Sequence, residues 1–304
     1  MSMTESVLLH IETPVPFSYK ETVNYLRRSA NEPLYQVEGD AVYRLIPTGS
    51  GEEPAAVVIR ESGHGGLLVR VIGEKQVSDE RQREIEAFIR EWFDFDTDLL
   101  PFYEMAEKDP LLVHAIGRFH GLRSVGISDL FEALCWGIIG QQINLAFAYT
   151  LKRRFVEAYG QSVEREGRTF WQFPVPETIA TLKPEDMASM QMTSKKSEYL
   201  IGVAKLMAEG SLDKQSLLAL GDFAAIEKQL TGIRGIGPWT ANYVLMRCLR
   251  LPNAFPIADV GLHNSIKALT GSEAKPAISE IRQMAEGWKG WESYATFYLW
   301  RILY

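Results

Sequence analysis

The chain has 304 residues, of which 46% are hydrophobic and 23% are charged, and its formal net charge is −7. A chain of this length forms about two or three domains, and the composition is that of an ordinary globular protein. Its apolar runs are far shorter than the roughly 18 residues of a membrane span, and the N-terminus lacks the basic start and long apolar stretch of a secretion signal. These features exclude a membrane protein, and we expect a cytoplasmic one.

Two cysteines, Cys135 and Cys248, lie alone within apolar helical patterns. A zinc or iron–sulfur site needs about four protein ligands close together, so neither cysteine belongs to one. The sequence therefore predicts two buried thiols and no required cofactor.

The charges are unevenly distributed along the chain. The stretch from Lys228 to Ala258 has no acidic residue, whereas residues 74–107 are rich in carboxylates. Its basic residues are Lys228, Arg234, Arg247 and Arg250. This pattern predicts a local basic face, suited to contact with phosphates, on an acidic body.

The first hundred residues combine helical and strand patterns. Ser18 and Glu21 form a capping-box signature for a helix that continues to about Ser29. Short apolar or alternating runs follow at residues 34–37, 41–46, 55–60 and 67–72, separated by turn-forming residues. A second helix is expected from Ser78 to about Trp92, followed by an acidic linker at residues 94–98. The sequence therefore predicts an α+β domain over residues 1–98, with an antiparallel sheet and covering helices.

Beyond the linker, the hydrophobic pattern is helical throughout. Residues typical of an N-cap or first helical turn mark the expected helix starts: Ser128-Asp129, Pro176, Thr193, Asp222, Pro238, Asp259 and Pro276. Residues 99–304 are therefore predicted to form an all-α region of about ten helices, arranged as two helical subdomains that flank a cleft.

Glycines punctuate the segment between two of these helices. One helix is expected to end at Leu230, and the next begins with Pro238 after a turn that contains Gly232, Gly235 and Gly237. Glycine lets a backbone approach a ligand closely, and the free N–H groups at a helix start attract anions. Such a turn could grip a phosphate, although a bare pair of glycines more often only separates two helices.

The string GIRGIGPWTA, residues 232–241, resembles the helix-hairpin-helix of DNA repair glycosylases. In that family an essential aspartate follows the hairpin by about twenty residues, after a proline and at the start of the next helix. Pro256 and Asp259 match this arrangement. An aspartate at a helix start is ordinarily an N-cap, a role compatible with catalysis because the helix N-terminus favours the ionised carboxylate.

The resemblance implies that Asp259 is the catalytic carboxylate. Breaking the bond between deoxyribose C1′ and the base builds positive charge on the sugar, which a fixed anion stabilises. At about 4 Å and an effective dielectric near 20, one such charge is worth on the order of 4 kcal/mol, or roughly a thousandfold in rate.

The resemblance is strongest to the 3-methyladenine DNA glycosylase II family, the AlkA type. It implies a base pocket formed by Trp239, Tyr243 and Trp300, the last of which follows the string WKGWESYA at residues 288–295. Aromatic residues at helical spacing are more often core residues. An aromatic pocket nevertheless suits purines alkylated at N3 or N7, because these bases are cationic and an aromatic face attracts cations.

Two further positions bear on the choice of glycosylase. The 8-oxoguanine glycosylases with lyase activity carry a lysine nucleophile where this chain has Trp239, and Lys267 matches no catalytic position, so a monofunctional enzyme is implied. Gln142 stands where the AlkA type has an apolar wedge that fills the gap left by a flipped base. Because an amide there is more typical of the oxidised-guanine branch, an 8-oxoguanine-type glycosylase remains an alternative, as does a non-catalytic DNA-binding protein.

By the same resemblance, duplex DNA that contains damaged bases is the expected partner, and the protein is expected to act as a monomer. The implied DNA contacts are Gln142, Gly235, Gly237 and Thr240. The backbone carbonyls of Thr231, Ile233 and Ile236 are implied to hold a monovalent cation, sodium or potassium.

Overall fold

The computed structural model describes residues 8–49, 53–63 and 65–303. Its N-terminal part is a five-stranded antiparallel sheet in the order β1-β5-β4-β3-β2. The strands are β1 (Leu8–Ile11), β2 (Tyr35–Glu38), β3 (Ala41–Ile46), β4 (Ala55–Glu61) and β5 (Leu67–Val71). The predicted antiparallel sheet is confirmed, and β1 adds an edge strand that the sequence pattern did not indicate.

Two helices accompany the sheet, α1 (Tyr19–Leu26) and α2 (Asp79–Phe93). Ser18 and Ser78 cap them by accepting hydrogen bonds from the backbone N–H groups of Glu21 and Arg81. Helix α1 ends earlier than expected, at Leu26. The chain that follows it places Glu32 in an ion pair with Lys152, and it places Arg28 at the cleft between the helices.

Residues 94–98 do not form an exposed linker. Phe95 is 3% exposed, and the Asp94 carboxylate accepts hydrogen bonds from Thr97 and Tyr294. The expected linker is therefore packed against the C-terminal helix, because the alternating phenylalanines of this segment enter the core while its acidic groups find partners.

The remainder of the chain is mainly helical, which confirms the predicted fold class. Its α-helices are α3 (Leu100–Ala106), α4 (Leu112–Arg118), α5 (Leu130–Ile139), α6 (Leu145–Tyr159), α7 (Pro176–Ala180), α8 (Ser194–Ala208), α9 (Lys214–Ala219), α10 (Phe223–Thr231), α11 (Pro238–Arg247), α12 (Val260–Thr270), α13 (Ile278–Met284) and α14 (Glu292–Trp300). Short 3₁₀ segments cover Pro184–Met190, Ala285–Trp288 and Arg301–Leu303. Asp129, Thr193, Asp222 and Asp259 are N-caps, as predicted.

A β-hairpin interrupts the helices, which the sequence analysis did not anticipate. It pairs β6 (Ser162–Arg165) with β7 (Arg168–Trp171) through a two-residue turn in which Glu166 and Gly167 both have positive φ. Turns of this type favour Asn-Gly or Asp-Gly, so the Glu-Gly pair gives a weak signal, and its charged strands mask the alternation that marks a strand.

Helix α5 is the structural centre of the helical part. All ten of its residues are buried, and it packs against α8 and α11. Cys135 and Cys248 are both buried, as expected from the sequence. None of the helices within the described residues combines the length and apolar character of a membrane span.

A buried ion-pair network ties the segment between α1 and β2 to the helical part. Lys152 on α6 donates to Glu32 at 2.9 and 3.0 Å and to Glu132 on α5 at 2.9 Å. All three side chains are less than one-tenth exposed. Removing one partner of a buried network leaves an uncompensated charge, which costs about 3–5 kcal/mol, so this contact fixes the segment after α1 relative to α5 and α6.

Candidate active site

The glycine turn between α10 and α11 has the geometry of a hairpin. Gly235 has φ +96°, and a Cβ there would lie 2.3 Å from Cγ of the Tyr199 ring. Gly237 has an ordinary φ of −89° and is the N-cap of α11, where no side chain caps the helix. Position 235 therefore requires glycine, because its φ is positive and a side chain would collide with Tyr199. At position 237 glycine has a different effect: it leaves the first N–H groups of α11 without a capping side chain.

Thr240 and Gln141, in the loop after α5, hold the hairpin against α5. The Gln141 side-chain amide donates to the carbonyl of Gly235 at 2.9 Å and to the Thr240 hydroxyl at 3.2 Å. Thr240 is 2% exposed, and its methyl group lies over Gly137 of α5. The Thr240 side chain is therefore a packing group, and a DNA contact from this residue would have to use its backbone.

The carbonyls expected to hold a cation lie at the end of α10 and in the turn. The carbonyl of Ile233 accepts a hydrogen bond from the N–H of Ile236 at 3.0 Å. Neutral backbone oxygens suit a monovalent ion, since they supply dipoles without a formal negative charge. Side-chain ligands for a harder metal are lacking, because no group of three or more His, Cys, Asp and Glu residues in the described chain could hold one.

Asp259 is held in place by three hydrogen bonds. It is the N-cap of α12, and its Oδ1 accepts from the backbone N–H of Leu262 at 2.8 Å. The indole N–H of Trp300 donates to the same oxygen at 2.8 Å, and the indole N–H of Trp239 donates to Oδ2 at 3.0 Å. The carboxylate is half-buried, so it is fixed in orientation while one side stays open to the cleft.

The three aromatic residues predicted for the base pocket lie side by side. The rings of Trp239 and Tyr243 are stacked with their centroids 5.6 Å apart, and the rings of Tyr243 and Trp300 are 6.2 Å apart at 31°. Tyr243 and Trp239 belong to α11, whereas Trp300 ends α14. Residues about sixty positions apart in the sequence thus form one aromatic wall beside the carboxylate.

A cleft of about 850 Å³ opens beside this wall. Its lining includes Asp259, the three aromatic residues and Gln142. Gln142 lies in the loop between α5 and α6, is exposed, and has φ +58°. Among the described residues it makes no hydrogen bond, so its amide is free at the mouth of the cleft.

The sequence analysis missed several other residues that line the cleft. Tyr25 and Arg28 come from the N-terminal part, and Trp136, Ile143 and Asn264 come from helical segments. The Arg28 guanidinium lies 4.0 Å from the Tyr25 ring centroid and donates to the Tyr149 hydroxyl. No sequence signal marks Arg28, which follows a helix end where charged residues are usually solvated.

The prediction of an exposed basic face is wrong for two of its four residues, Arg247 and Arg250. Arg247 is 2% exposed and donates to the carbonyl of Val125. Arg250 donates to the carbonyl of Ser124 and to the carbonyls of Glu91 and Trp92 at the end of α2. Of the four, Lys228 and Arg234 are exposed, because the other two basic side chains bind backbone carbonyls of the end of α2 and of the segment before α5.

A helix-hairpin-helix followed by a carboxylate in an aromatic cleft defines the class of DNA glycosylases. Family models match the chain as HhH-GPD superfamily base excision DNA repair protein over residues 135–292 and as 8-oxoguanine DNA glycosylase, N-terminal domain, over residues 17–134. The chain belongs to the HhH-GPD superfamily of base excision DNA repair proteins.

Individual proteins are similar to this chain in sequence or in fold. The chain is 51% identical to the DNA-3-methyladenine glycosylase of Bacillus subtilis (strain 168) over 295 residues, which cover 97% of this chain and 96% of the relative. Its fold is similar to that of a 3-methyladenine DNA-glycosylase from Archaeoglobus fulgidus, with a TM-score of 0.78, 21% identity and 97% of each chain covered. It is also similar to the Clostridium acetobutylicum 8-oxoguanine glycosylase/lyase in complex with double-stranded DNA, with a TM-score of 0.74, 17% identity, and 99% and 95% coverage.

The prediction of a helix-hairpin-helix DNA glycosylase is therefore confirmed. The protein is an enzyme of base excision repair, and a purely DNA-binding role no longer fits. The structure brings Asp259, Trp239, Tyr243 and Trp300 together and places Gln142 at the same cleft.

The two hairpin glycines should differ in their tolerance of alanine. Gly235→Ala should lower the free energy of unfolding by about 2–4 kcal/mol, because the new methyl group meets the Tyr199 ring at a positive φ. Gly237→Ala, which has open space and a negative φ, should cost less than about 1 kcal/mol. Urea unfolding of both variants would measure the difference, and equal losses would contradict this account of the turn.

Proposed function

We propose that this protein is a monofunctional DNA glycosylase that flips alkylated purines, of the 3-methyladenine and 7-methylguanine type, out of duplex DNA and hydrolyses their N-glycosidic bond. The observation that carries the proposal is the Asp259 carboxylate, fixed by two indole N–H groups and a helix N-terminus at an aromatic cleft. The name of the Bacillus subtilis relative, which is half identical along nearly its whole length, supports the same substrate class.

The carboxylate suits the charge that develops in the reaction. As the bond between C1′ and the base nitrogen breaks, its electron pair leaves with the base and the sugar becomes positive. A carboxylate that cannot rotate away stabilises that charge without reorganisation, which is worth on the order of 4 kcal/mol at about 4 Å.

The same carboxylate can direct the attacking water. Oδ1 already accepts two hydrogen bonds, whereas Oδ2 accepts one, from Trp239. Oδ2 is thus better able to accept a proton from water as the water oxygen bonds to C1′. Trp239 and Trp300 act as positioning residues in this scheme, since their N–H groups hold the carboxylate.

The aromatic wall accounts for the choice of base. A purine methylated at N3 or N7 is cationic while it is attached to the sugar, and an electron-rich face attracts it by about 0.5–2 kcal/mol over a neutral base. The cleft volume of about 850 Å³ lies within the usual range of about 300–1,000 Å³ for ligand pockets, so a flipped nucleotide fits.

DNA would be held mainly by backbone groups. The uncapped start of α11 after Gly235 and Gly237 offers N–H groups to a phosphate, in keeping with the scarcity of exposed basic side chains in this stretch. The carbonyls of Thr231, Ile233 and Ile236 would hold a sodium or potassium ion beside it, and the chemistry itself would need no cofactor. We propose that the protein acts on DNA in the cytoplasm as a monomer.

An 8-oxoguanine-type enzyme is the second candidate, favoured by the match of residues 17–134 to the 8-oxoguanine glycosylase N-terminal domain. The lyase members of that branch need a lysine at the position of Trp239. None of the described residues that line the cleft is a lysine. Without an amine, no Schiff base to the sugar can form.

Borohydride trapping separates the two candidates. Incubation with lesion-containing duplex and sodium borohydride should give no covalent adduct, while heat or alkali should reveal abasic sites in the same reaction. A lysine-dependent glycosylase treated in parallel supplies the positive control. A trapped adduct of this protein would assign it to the lyase branch.

Replacement of the carboxylate tests the catalytic role. Asp259→Asn should lower single-turnover excision of methylated purines roughly a thousandfold while duplex binding stays nearly unchanged, because the shape remains and the charge is lost. Excision within tenfold of wild type would remove Asp259 from the catalytic role.

A matched pair of variants shows whether charge or geometry causes the loss. In Asp259→Asn the new amide N–H₂ group can face the indole N–H of Trp239, so two donors would meet. Adding Trp239→Phe removes that conflict, and excision should stay low if the missing charge is the cause. Recovery in the double variant would mean that geometry alone was responsible, and Trp239→Phe by itself is the control.

Gln142 is proposed as the wedge that fills the vacated stack. Gln142→Ala should slow excision about tenfold in matched duplex, corresponding to about 1.4 kcal/mol, and less in a mismatch or single strand, because less pairing must be opened there. Gln142→Gly is the control for the positive φ, which glycine adopts without strain, and it should show the same dependence on pairing. Equal losses on all three substrates would mean that another residue fills the gap.

A further inference from the structure

A small cavity adjoins the cleft. Its volume is about 20 Å³, and Tyr25, Arg28, Trp136 and Arg247 line both the cavity and the cleft. The cavity lies between the N-terminal sheet, which contributes Arg44 from β3, and the helical part. It is thus separate from the place proposed for a flipped base but shares a wall with it.

The charges around this cavity do not balance. Its charged lining comprises four basic and two acidic side chains: Arg28, Arg44, Lys152, Arg247, Glu32 and Glu132. Both carboxylates are bound to Lys152, as described above. Among the described residues, no carboxylate lies within 4 Å of any of the three guanidinium groups. The cavity therefore carries an excess of positive charge in the interior.

Some of the hydrogen-bond donors around the cavity also lack an acceptor. Arg247 donates to the carbonyl of Val125 and to the Tyr243 hydroxyl, and Arg28 donates to the Tyr149 hydroxyl. In contrast, the Nε of Arg44 and the hydroxyl of Tyr25 are buried and have no partner in the described part of the chain. Arg44 is 8% exposed, and its guanidinium lies over the faces of Trp92 and Phe88. The cavity wall therefore has two buried groups that can donate a hydrogen bond and have no acceptor among the described residues, and both of its carboxylates are already bound to Lys152.

Such an arrangement is costly unless something enters the cavity. A buried donor without a partner costs about 1–3 kcal/mol, and an unpaired buried charge costs more. Burial lowers the pKa of Arg44 and of Arg247, yet a guanidinium does not lose its proton in a protein. A volume of about 20 Å³ exceeds the roughly 10–15 Å³ that one water molecule requires.

We propose that this cavity binds one small monovalent anion of halide size, chloride under ordinary conditions. An anion accepts hydrogen bonds from several donors at once and neutralises part of the excess charge. A water molecule would accept two hydrogen bonds and leave the charge unchanged. The anion would act as a buried counter-ion between the sheet and the helical part, independently of the substrate proposed above.

Thermal unfolding of the whole protein tests the proposal. In sodium chloride the Tm should exceed that in sodium isethionate at equal ionic strength by on the order of 4 °C, because only the smaller anion enters the cavity and stabilises the folded state. Arg44→Met should abolish this difference. Arg60→Met, on the neighbouring strand with 55% of the side chain exposed, should retain it.

The outcomes separate an anion site from a structural arginine. Equal Tm values of the wild type in the two salts would overturn the proposal, as would an Arg44→Met variant that loses the same Tm in both. Tyr25→Phe removes only the unpartnered hydroxyl and should reduce the Tm difference between the two salts. This variant replaces Arg44→Met in the test if Arg44→Met does not fold. In crystals grown in bromide, an anomalous peak in the cavity supports the anion, whereas density without one indicates water and contradicts it.

Discussion

The hydrogen bonds to the Asp259 carboxylate organise the site. Two indole N–H groups and one backbone N–H converge on it, and each comes from a different part of the fold. Trp239 lies at the start of α11 and Trp300 at the end of α14, and the backbone N–H belongs to Leu262 of α12. A half-buried carboxylate with three donors keeps its orientation, so its charge is available without reorganisation. The hairpin, the last helix and the carboxylate are therefore constrained together.

The aromatic wall follows from the same constraint. Once the indoles of Trp239 and Trp300 point their N–H groups at one carboxylate, their rings flank the space in front of it. Tyr243, one turn beyond Trp239 on α11, fills the interval with its ring parallel to within about thirty degrees of both. The carboxylate and the wall thus share the same residues, which ties the orientation of the charge to the shape of the pocket.

Helix α1 and the segment after it contribute to the cleft as well as to packing. The Lys152 network fixes the segment after α1, and this segment brings Arg28 to the back of the cleft next to Tyr25. This junction also buries the guanidinium groups of Arg28, Arg44 and Arg247. The cavity that they line has only two carboxylates among its described residues, and four residues of its wall also line the cleft.

The sequence by itself determined the parts of the site that depend on short-range order. The glycine turn, the proline at the start of α11 and the N-cap at Asp259 are local features, because turn and cap geometry depends on a few adjacent residues. The strands with clear alternation and the capped helices were predicted for the same reason. Resemblance to a known family then linked Trp239, Tyr243 and Trp300 to Asp259, a link that spacing alone does not provide.

Tertiary structure decided everything that joins distant segments. Arg247 and Arg250 look like a basic surface in the sequence but bind buried carbonyls, and Arg28 looks solvated but lines the cleft. A charged side chain has the same local signature in both environments, since its burial depends on which backbone groups and carboxylates the fold places around it. For the same reason, the two hydrogen bonds between the indoles and Asp259, and the unbalanced cavity that adjoins the cleft, arise only from the assembled helices and sheet.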